Sequence, residues 1–202
     1  VLLHLLASDT AIRSRGLRAL HVHHGLQPDA DLWADHCLRI CGSLDIDCEI
    51  ARVMVERDSG LGTEAAARQA RRAVFARILH AGETLALAHH RDDQAETFLL
   101  RALRASGPDG LASMRPWRDF AGGWLWRPLL GTPRADLLAY ARTHSLNWIE
   151  DPSNADTAHD RNFIRHRVLP LLRERWPTTD AAFARAAALA AQSSALLGEQ
   201  DE

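Results

Sequence analysis

The sequence predicts an α/β fold: a parallel sheet with helices on both faces, followed by a mostly helical C-terminal part. Between residues 17 and 104, short apolar segments alternate with longer segments whose apolar residues recur at helical spacing. Strands that alternate with helices in this way are typical of a parallel sheet. After SGPDG at residues 106–110 the alternation stops, and most of the remaining chain has helical patterns.

Three strands and three helices account for the first half of the chain. We expect strands at residues 17–22, 48–55 and 84–88, where apolar residues cluster between turn residues. Helices are expected at residues 31–44, from Thr63 to about His80, and from Asp92 or Asp93 to about Arg104. RDSGLG, at residues 57–62, is predicted as a loop. The opening VLLHLLA resembles the interior of a helix, because no capping residue precedes it.

The second half is expected to contain short strands or a hairpin in FAGGWLWRPLL, followed by helices. Thr132 is predicted to cap a helix that begins at Pro133 and ends near His144, and Pro170 to kink or break a later helix. An Ala-rich helix near the end of the chain is typical of a connector. The predicted segments are a core at 1–110, a substrate-site segment at 111–176 and a connector helix at 177–202.

Composition indicates a globular protein of a reducing, cytoplasmic compartment. Three cysteines without a CxxC pair argue against a disulfide framework. No apolar stretch approaches the roughly 20 residues needed to span a bilayer, and no signal peptide is recognisable. The net charge of -2 gives no overall nucleic-acid signature, although the basic residues, all of them arginine, are concentrated in places.

Two predicted strands end in histidines, in HVHHG and in ALAHHRDD. Ligands of parallel α/β sheets bind outside the carboxyl ends of the strands, so we expect both clusters at one rim. Asp93 and Glu96 are one helical turn apart, which lets their carboxylates hold an ammonium group or a divalent ion together. Asp92 has a simpler alternative as a helix N-cap. A metal-hydrolase site is disfavoured, because His23 and His24, adjacent on an extended chain, point in opposite directions.

Two pairs of arginines are spaced to share a helix face. Arg68 and Arg72 suit a phosphate, with a solvated helix face as the alternative. Arg161 and Arg165 either form a buried brace with acidic residues or reach into a substrate pocket.

Seven motifs occur in a characteristic order: HVHHGL, EAAARQARRAVF, AHHRDDQAETFLLR, SGPDGLASM, RPLLGTPRADLLAYA, WIEDPSN and DRNFIRHRVLPLL. From Val1 to about Trp176 this series resembles the catalytic domain of bacterial tRNA(Ile)-lysidine synthetases, members of the N-type ATP pyrophosphatase (PP-loop) group. The resemblance implies a Rossmann-like α/β domain. The SGGxDS phosphate loop of that family is expected immediately before Val1, and its C-terminal tRNA-binding domains beyond the last residue.

The resemblance also implies a reaction. ATP adenylates the C2 oxygen of the wobble cytidine, position 34, of a tRNA(Ile) with a CAU anticodon, and pyrophosphate is released. The ε-amine of free L-lysine then displaces AMP to give lysidine. The implied cofactors are ATP and Mg²⁺, the implied partners are the tRNA and lysine without a membrane, and the family allows a homodimer.

By the same resemblance, the backbone at Val22 and His23 lies beside adenine, and Asp93 and Glu96 bind the lysine ammonium. His89 is the candidate for the transfer of the amine proton. The resemblance also implies that Arg161 or Arg165 binds the lysine carboxylate or an adenylate oxygen. It further implies that Arg68 and Arg72 face ATP or the tRNA backbone, and that Asp92 binds Mg²⁺.

Three other functions compete with this interpretation. A tRNA thiolase of the same group is disfavoured, because Cys37 and Cys41 have CxxxC spacing on a helix face, which is typical of core residues. A nucleotide- or tRNA-binding fragment without turnover remains open, because the phosphate loop is not part of this chain. A metal-dependent hydrolase is the third.

Overall fold

The computed structural model describes residues 1–55 and 62–200. The loop predicted at 57–62 therefore lies almost entirely outside the described residues. The strands are β1 (Arg18–His23), β2 (Asp47–Arg52), β3 (Thr84–Ala86), β4 (Trp117–Phe120) and β5 (Gly123–Trp126).

The α-helices are α1 (Leu2–Ser8), α2 (Thr10–Ser14), α3 (Ala30–Ser43), α4 (Thr63–Ile78), α5 (Arg91–Ala102), α6 (Pro108–Leu111), α7 (Arg134–Thr143), α8 (Asp160–Phe163), α9 (Leu169–Arg175) and α10 (Thr179–Gln200). A 3-10 helix covers Pro152–Ala155 and a π-helix covers Ile164–Val168. The predicted alternation of strands and helices is confirmed, with ends that differ by a few residues.

The strands form two sheets, and each sheet contains a parallel pair. β1 and β2 run parallel, with Arg18 opposite Asp47 and His23 opposite Arg52. β3, β5 and β4 are hydrogen-bonded in that order. Backbone bonds from Trp124 N to Glu83 O (2.9 Å) and from Leu87 N to Trp126 O (2.8 Å) advance in the same direction along β3 and β5, so these strands are parallel as well. The predicted α/β class, a parallel sheet flanked by helices, is confirmed.

A hairpin connects β4 and β5, as FAGGWLWRPLL predicts. Its two turn residues, Ala121 (φ 51°) and Gly122 (φ 78°), both have positive φ, which is the backbone of a type I′ turn. Trp117 and Trp126 lie opposite each other on the two strands and stack with ring centroids 5.3 Å apart.

By its internal contacts the chain divides into two units, Val1–Leu85 with Asp119–Trp124, and Ala86–Arg118 with Leu125–Glu202. The first has a core around Ala7, Cys41 and Ile46. The second has a core around Ala95, Ile164 and Leu169, which joins α5 to the π-helix and α9. The segments predicted at 1–110, 111–176 and 177–202 follow motifs rather than contacts, and they stay a prediction.

Two predicted helix starts differ in the structure. The cap of α7 is Pro133, not Thr132, and no side chain of its own segment caps it. Instead, the N–H of Arg134 donates to Oδ2 of Asp92, at 2.9 Å, so a carboxylate distant in sequence satisfies this helix end. The cap of α5 is likewise neither Asp92 nor Asp93 but His90.

Pro170 interrupts its helix in the predicted region, but through a π-helix. Proline has no N–H for the carbonyl four residues back, here that of His166, and its ring crowds that carbonyl. The wider turn of the π-helix Ile164–Val168 lies immediately before α9, and Pro170 is in the first turn of α9. The helix therefore continues past the proline with a local change of pitch.

Candidate functional site

The candidate site begins where α5 follows β3. A capping box fixes the first turn: the His90 backbone N–H donates to Oδ2 of Asp93, at 2.9 Å, and the Asp93 N–H donates to Nδ1 of His90, at 3.4 Å. Asp93 and Glu96 then lie on one face of α5, as their spacing predicts. Both are buried, and the Glu96 side chain is only 1% exposed.

Two arginines neutralise these carboxylates. Arg161 donates through Nε to Oε2 of Glu96 (2.7 Å) and through Nη2 to Oδ1 of Asp93 (2.8 Å). Arg165 donates through Nε to Oε1 of Glu96 (2.6 Å) and through Nη2 to Oε2 of Glu96 (2.9 Å) and Oδ1 of Asp93 (3.3 Å). We call these four residues the acid–arginine network. Its formal charge is zero, and every one of its four carboxylate oxygens accepts a hydrogen bond.

The two sequence alternatives for the arginines can be compared with this geometry. Arg161 and Arg165 form the acidic brace, yet their side chains stay 26% and 28% exposed. Burial alone would lower the pKa of Arg165, but its hydrogen bonds to Glu96 and the charges of Glu96 and Asp93 outweigh burial and raise that pKa. The brace leaves the Nη1 atom of each guanidinium without a hydrogen-bond partner in the described part of the chain.

Local structure holds the arginines in place. Arg161 belongs to α8 and Arg165 to the π-helix that follows it. Between them Asn162 is buried, and its amide donates to the carbonyl oxygens of Ser153 (2.9 Å) and Asp156 (2.8 Å). The WIEDPSN and DRNFIR motifs thus meet in one hydrogen-bonded unit, although they are separated in the sequence.

His89, the candidate for proton transfer, contacts an arginine that the sequence analysis did not single out. Buried Arg127 donates through Nε to Nδ1 of His89, at 3.1 Å, and through Nη1 to the carbonyl of Arg115, at 2.7 Å. Because a guanidinium has no acceptor, Nδ1 must accept, and the proton of the neutral imidazole lies on Nε2. This contact argues against His89 as the acceptor of the amine proton and favours a hydrogen-bond donor.

Asp92 does not fit a magnesium ligand. Its Oδ1 accepts from Nη2 of Arg173, at 3.1 Å, and its Oδ2 accepts the N–H of Arg134, at 2.9 Å. Mg²⁺ requires near-octahedral oxygen ligands at about 2.1 Å, and a guanidinium on the same oxygen repels a divalent cation. The structure brings Asp92 into contacts between helices instead.

The first unit contains the histidines at the end of β1. His23 is buried, with Nε2 at 3.2 Å from Oδ1 of Asp31 and at 3.4 Å from Nη1 of Arg52. Arg52 also donates to Asp31 at 2.7 Å, and this hydrogen bond is the main reason that the pKa of Asp31 is lowered. Because β1 and β2 are parallel, His23 and Arg52 mark the sheet edge at which ligands of such folds bind.

The same edge has features that fit a nucleotide. Nδ1 of His24 is buried without a hydrogen-bond partner in the described part of the chain. Burial lowers the pKa of His24, and the charge of Arg71 lowers it further. An unsatisfied nitrogen beside Val22 and His23, with an arginine close enough to interact electrostatically, suits an anionic or hydrogen-bonding ligand.

The predicted phosphate pair lies on α4, where both Arg68 and Arg72 are exposed. The Arg72 guanidinium lies over the Phe120 ring, 5.5 Å from its centroid. The histidine cluster of β1 and the cluster before α5 belong to different units, so their predicted convergence on one rim stays a prediction.

The three cysteines lie in the first unit and are free thiols. Cys41 is buried in the core, and burial together with the neighbouring Cys41 raises the pKa of Cys48 to about 12. Burial also raises the pKa of Cys37, whose Sγ is 3.4 Å from Nδ1 of His21. Raised pKa values describe thiols that are poor nucleophiles and poor metal ligands.

Two other kinds of site are absent from the described residues. Across residues 1–55 and 62–200, no group of three or more His, Cys, Asp or Glu side chains is arranged to hold a metal ion. Within the same ranges, no helix has the length and apolar character needed to cross a membrane.

Sequence reasoning missed three contributors to the site: Arg127, Asp180 and the capping role of His90. Arg173 was visible only as one member of an arginine-rich segment. Arg127 gave no signal, because it acts on His89, which is far away in the sequence. Asp180 follows Arg173 by only seven residues, but the two lie on different helices, so helical spacing does not indicate their contact. The capping role of His90 was detectable in principle, since an acidic residue follows three positions later.

Comparisons with known proteins agree with this architecture. A family profile described as PP-loop domain matches residues 1–172. The chain is 67% identical over 201 residues to the tRNA(Ile)-lysidine synthase of Xanthomonas axonopodis pv. citri, and the match covers 100% of this chain and 46% of that relative. It is 56% identical over 199 residues to the tRNA(Ile)-lysidine synthase of Alkalilimnicola ehrlichii, and the match covers 98% of this chain and 45% of that relative. The chain thus spans about half the length of these curated relatives.

A solved structure supports the fold alone. The U34-tRNA thiolase NcsA from Methanococcus maripaludis, solved with its 4Fe-4S cluster, superposes with a TM-score of 0.68 at 15% sequence identity. The match covers 90% of this chain and 66% of that one.

Proposed function

Because the chain belongs to the PP-loop domain family, we propose that it is the catalytic part of an enzyme that modifies tRNA(Ile) with ATP and lysine. In the proposed reaction, ATP adenylates the C2 oxygen of cytidine 34 in the CAU anticodon and releases pyrophosphate. The ε-amine of L-lysine then attacks C2, the bond from C2 to the adenylated oxygen breaks, and AMP leaves. The product is lysidine, so the enzyme is a ligase that forms a carbon–nitrogen bond.

One observation carries this proposal: 67% identity over 201 residues to a protein named tRNA(Ile)-lysidine synthase. The matched residues include AHHRDDQAET and DRNFIR, which supply the acid–arginine network. The raised cysteine pKa values and the lack of a CxxC pair favour this chemistry over that of a thiolase.

The acid–arginine network suits free lysine, which carries two ammonium groups and one carboxylate. The Asp93 side chain is 12% exposed and that of Glu96 only 1%, so Asp93 is the carboxylate that a ligand ammonium reaches. Glu96 has a different task in this account, because it holds both guanidiniums. The Nη1 edges of Arg161 and Arg165 are then placed for the lysine carboxylate or a phosphate oxygen.

Attack on C2 requires the lysine ammonium to lose a proton first, because only the neutral amine has a lone pair. We do not assign this proton transfer to His89, whose neutral imidazole accepts at Nδ1 from Nε of Arg127. Arg127 keeps the imidazole in that state, because protonation of Nδ1 would place two N–H groups against each other.

ATP is assigned to the carboxyl edge of β1, where Val22, His23 and the unsatisfied Nδ1 of His24 lie. When bound there, it would supply the adenylyl group, with pyrophosphate as the leaving group. Arg68 and Arg72 are assigned to its phosphates or to the tRNA backbone, because both are exposed on one face of α4. Mg²⁺ belongs to this proposal as the counter-ion of the ATP phosphates, without Asp92 as a ligand.

The test is ATP-dependent incorporation of labelled lysine into a tRNA(Ile) transcript with a CAU anticodon, catalysed by the full-length protein that contains these residues. We expect one lysine per tRNA, AMP and pyrophosphate in equal amounts, and no incorporation without ATP. Binding of ATP and tRNA without lysine incorporation would contradict the proposal and favour a binding module. Transfer of sulfur to the tRNA would favour a thiolase.

A further inference from the structure

Asp92 joins the ends of several helices in the second unit. From the second residue of α5, its Oδ2 accepts the first N–H of α7 and its Oδ1 accepts from Arg173 on α9. Its side chain is 19% exposed. One carboxylate thus satisfies a helix end that no capping residue satisfies, and it holds a guanidinium as well.

Arg173 extends this connection to α10. It donates through Nε to Oδ2 of Asp180, at 2.7 Å, and through Nη2 to Oδ1 of Asp180, at 2.9 Å. The hydrogen bond to Asp180 is the main reason that the pKa of Arg173 is raised. We call Asp92, Arg134, Arg173 and Asp180 the Asp92 junction, since all four meet through these bonds.

The residue after Asp92 is Asp93, which completes the capping box of α5 and also accepts from Arg161 and Arg165. A shift of the first turn of α5 would therefore move the carboxylate that the proposed function assigns to lysine. In well-oriented active sites, displacement of a positioning group by about 1 Å can lower the rate by about a hundredfold. The Asp92 junction connects this turn to α7 and α9, and through Arg173 to α10.

We propose that Arg173 is a positioning residue for lysine transfer, which acts through Asp92 on the first turn of α5. This inference rests on the proposed function and deepens it. In this account the positive charge beside Asp92 is the guanidinium of Arg173 and not a bound metal cation.

The kinetic test compares Arg173→Gln with Arg175→Gln in the full-length protein. Arg175 lies on the same helix, is exposed, and has its guanidinium over the neighbouring Trp176 ring, so its variant controls for the loss of one charge. We expect Arg173→Gln to lower kcat for lysine incorporation about tenfold, with the KM for ATP changed less than twofold. Arg175→Gln should keep the wild-type kcat. Equal kcat values in all three proteins would overturn the proposal.

A double-mutant cycle separates the junction from a metal site. If Arg173 acts through Asp92, the Asp92→Asn variant lowers kcat by a similar factor, and the double variant is no slower than either single one. If Asp92 instead binds Mg²⁺, Asp92→Asn raises the half-saturating Mg²⁺ concentration, recovers at high Mg²⁺, and its effect multiplies with that of Arg173→Gln. That second result would overturn the proposal.

Amide hydrogen exchange tests the junction without any activity. Arg173→Gln should accelerate exchange in the first turn of α5 at least fivefold, while exchange in β1 stays as in the wild type and in Arg175→Gln. Unchanged exchange in α5 would overturn the inference, even if the wild-type protein makes no lysidine and the proposed function fails. Arg173→Lys, which keeps the charge, serves in both tests if Arg173→Gln does not fold.

Discussion

Glu96 has the most constrained environment of the site residues. Its carboxylate is almost fully buried between the guanidiniums of Arg161 and Arg165. A buried charge is tolerated only when partners compensate its lost hydration, and here three short hydrogen bonds do so. The network therefore contributes to folding as well as to the proposed reaction.

Removal of this charge should destabilise the protein. We expect Glu96→Gln to lower the free energy of unfolding by at least about 2 kcal/mol, because two half-buried guanidiniums lose their common counter-charge. The measurement is the urea midpoint. Glu174→Gln, at an exposed position on α9, is the control and should change stability by less than about 0.5 kcal/mol. Equal midpoints for the two variants would show that Glu96 does not hold the arginines.

Histidine burial gives the protein a pH-dependent stability. Burial is the main reason that the pKa values of His21 and His24 lie below 6.5. The unfolded chain therefore binds more protons than the folded one, and stability rises with pH across this window. Stability should fall as the pH drops from about 6.5 through the lowered folded values.

The check is the urea midpoint at pH 7.5 and at pH 5.5. We expect the wild-type midpoint to be lower at pH 5.5, and this difference to shrink in the double variant His21→Gln, His24→Gln. An identical pH dependence in both proteins would refute the assignment to these histidines.

At the scale of elements, β5 approaches β3 closely at Gly123. A Cβ at this position would overlap the carbonyl oxygen of Glu83, so only glycine allows the two backbones to come this close. At Gly42, within α3, an added Cβ would instead meet open space.

These two glycines make a matched pair. Gly123→Ala should destabilise the protein by about 2 kcal/mol, because the strands must separate. Gly42→Ala should stabilise it by about 0.5 to 1 kcal/mol through helix propensity. Thermal midpoints that shift in opposite directions would confirm this difference; a neutral Gly123→Ala would show that β3 and β5 adjust easily.

Element types were predictable from the sequence, whereas helix ends often were not. Spacing of apolar residues is a local signal, and it located β1, β2 and α3 to within a few residues. The cap of α7 depends on Asp92, which is far away in the sequence, so no local rule identifies it. The residues around the π-helix, Ile164 and Leu169, likewise pack against Ala95, which is far away in the sequence.

At the scale of the whole molecule, motif order predicted more than composition did. A net charge of -2 gives no indication of a nucleic-acid substrate. The motifs, in contrast, singled out Asp93, Glu96, Arg161 and Arg165 as candidates. That these arginines pair with these two carboxylates is a finding of the structure and was not predicted. The sequence could not show the protonation of His89 or the partner of Asp92, because the contacts of His89 with Arg127 and of Asp92 with Arg173 depend on the fold.

The central claim is that Asp93, within the acid–arginine network, receives lysine after tRNA has been activated. The most direct test is single-turnover analysis of the full-length Asp93→Asn variant, with pyrophosphate release and lysine incorporation followed in the same reaction. We expect pyrophosphate release within about threefold of the wild type and lysine incorporation reduced at least a hundredfold, since only the second step uses this carboxylate. Wild-type incorporation, or an equal loss in both steps, would contradict the claim.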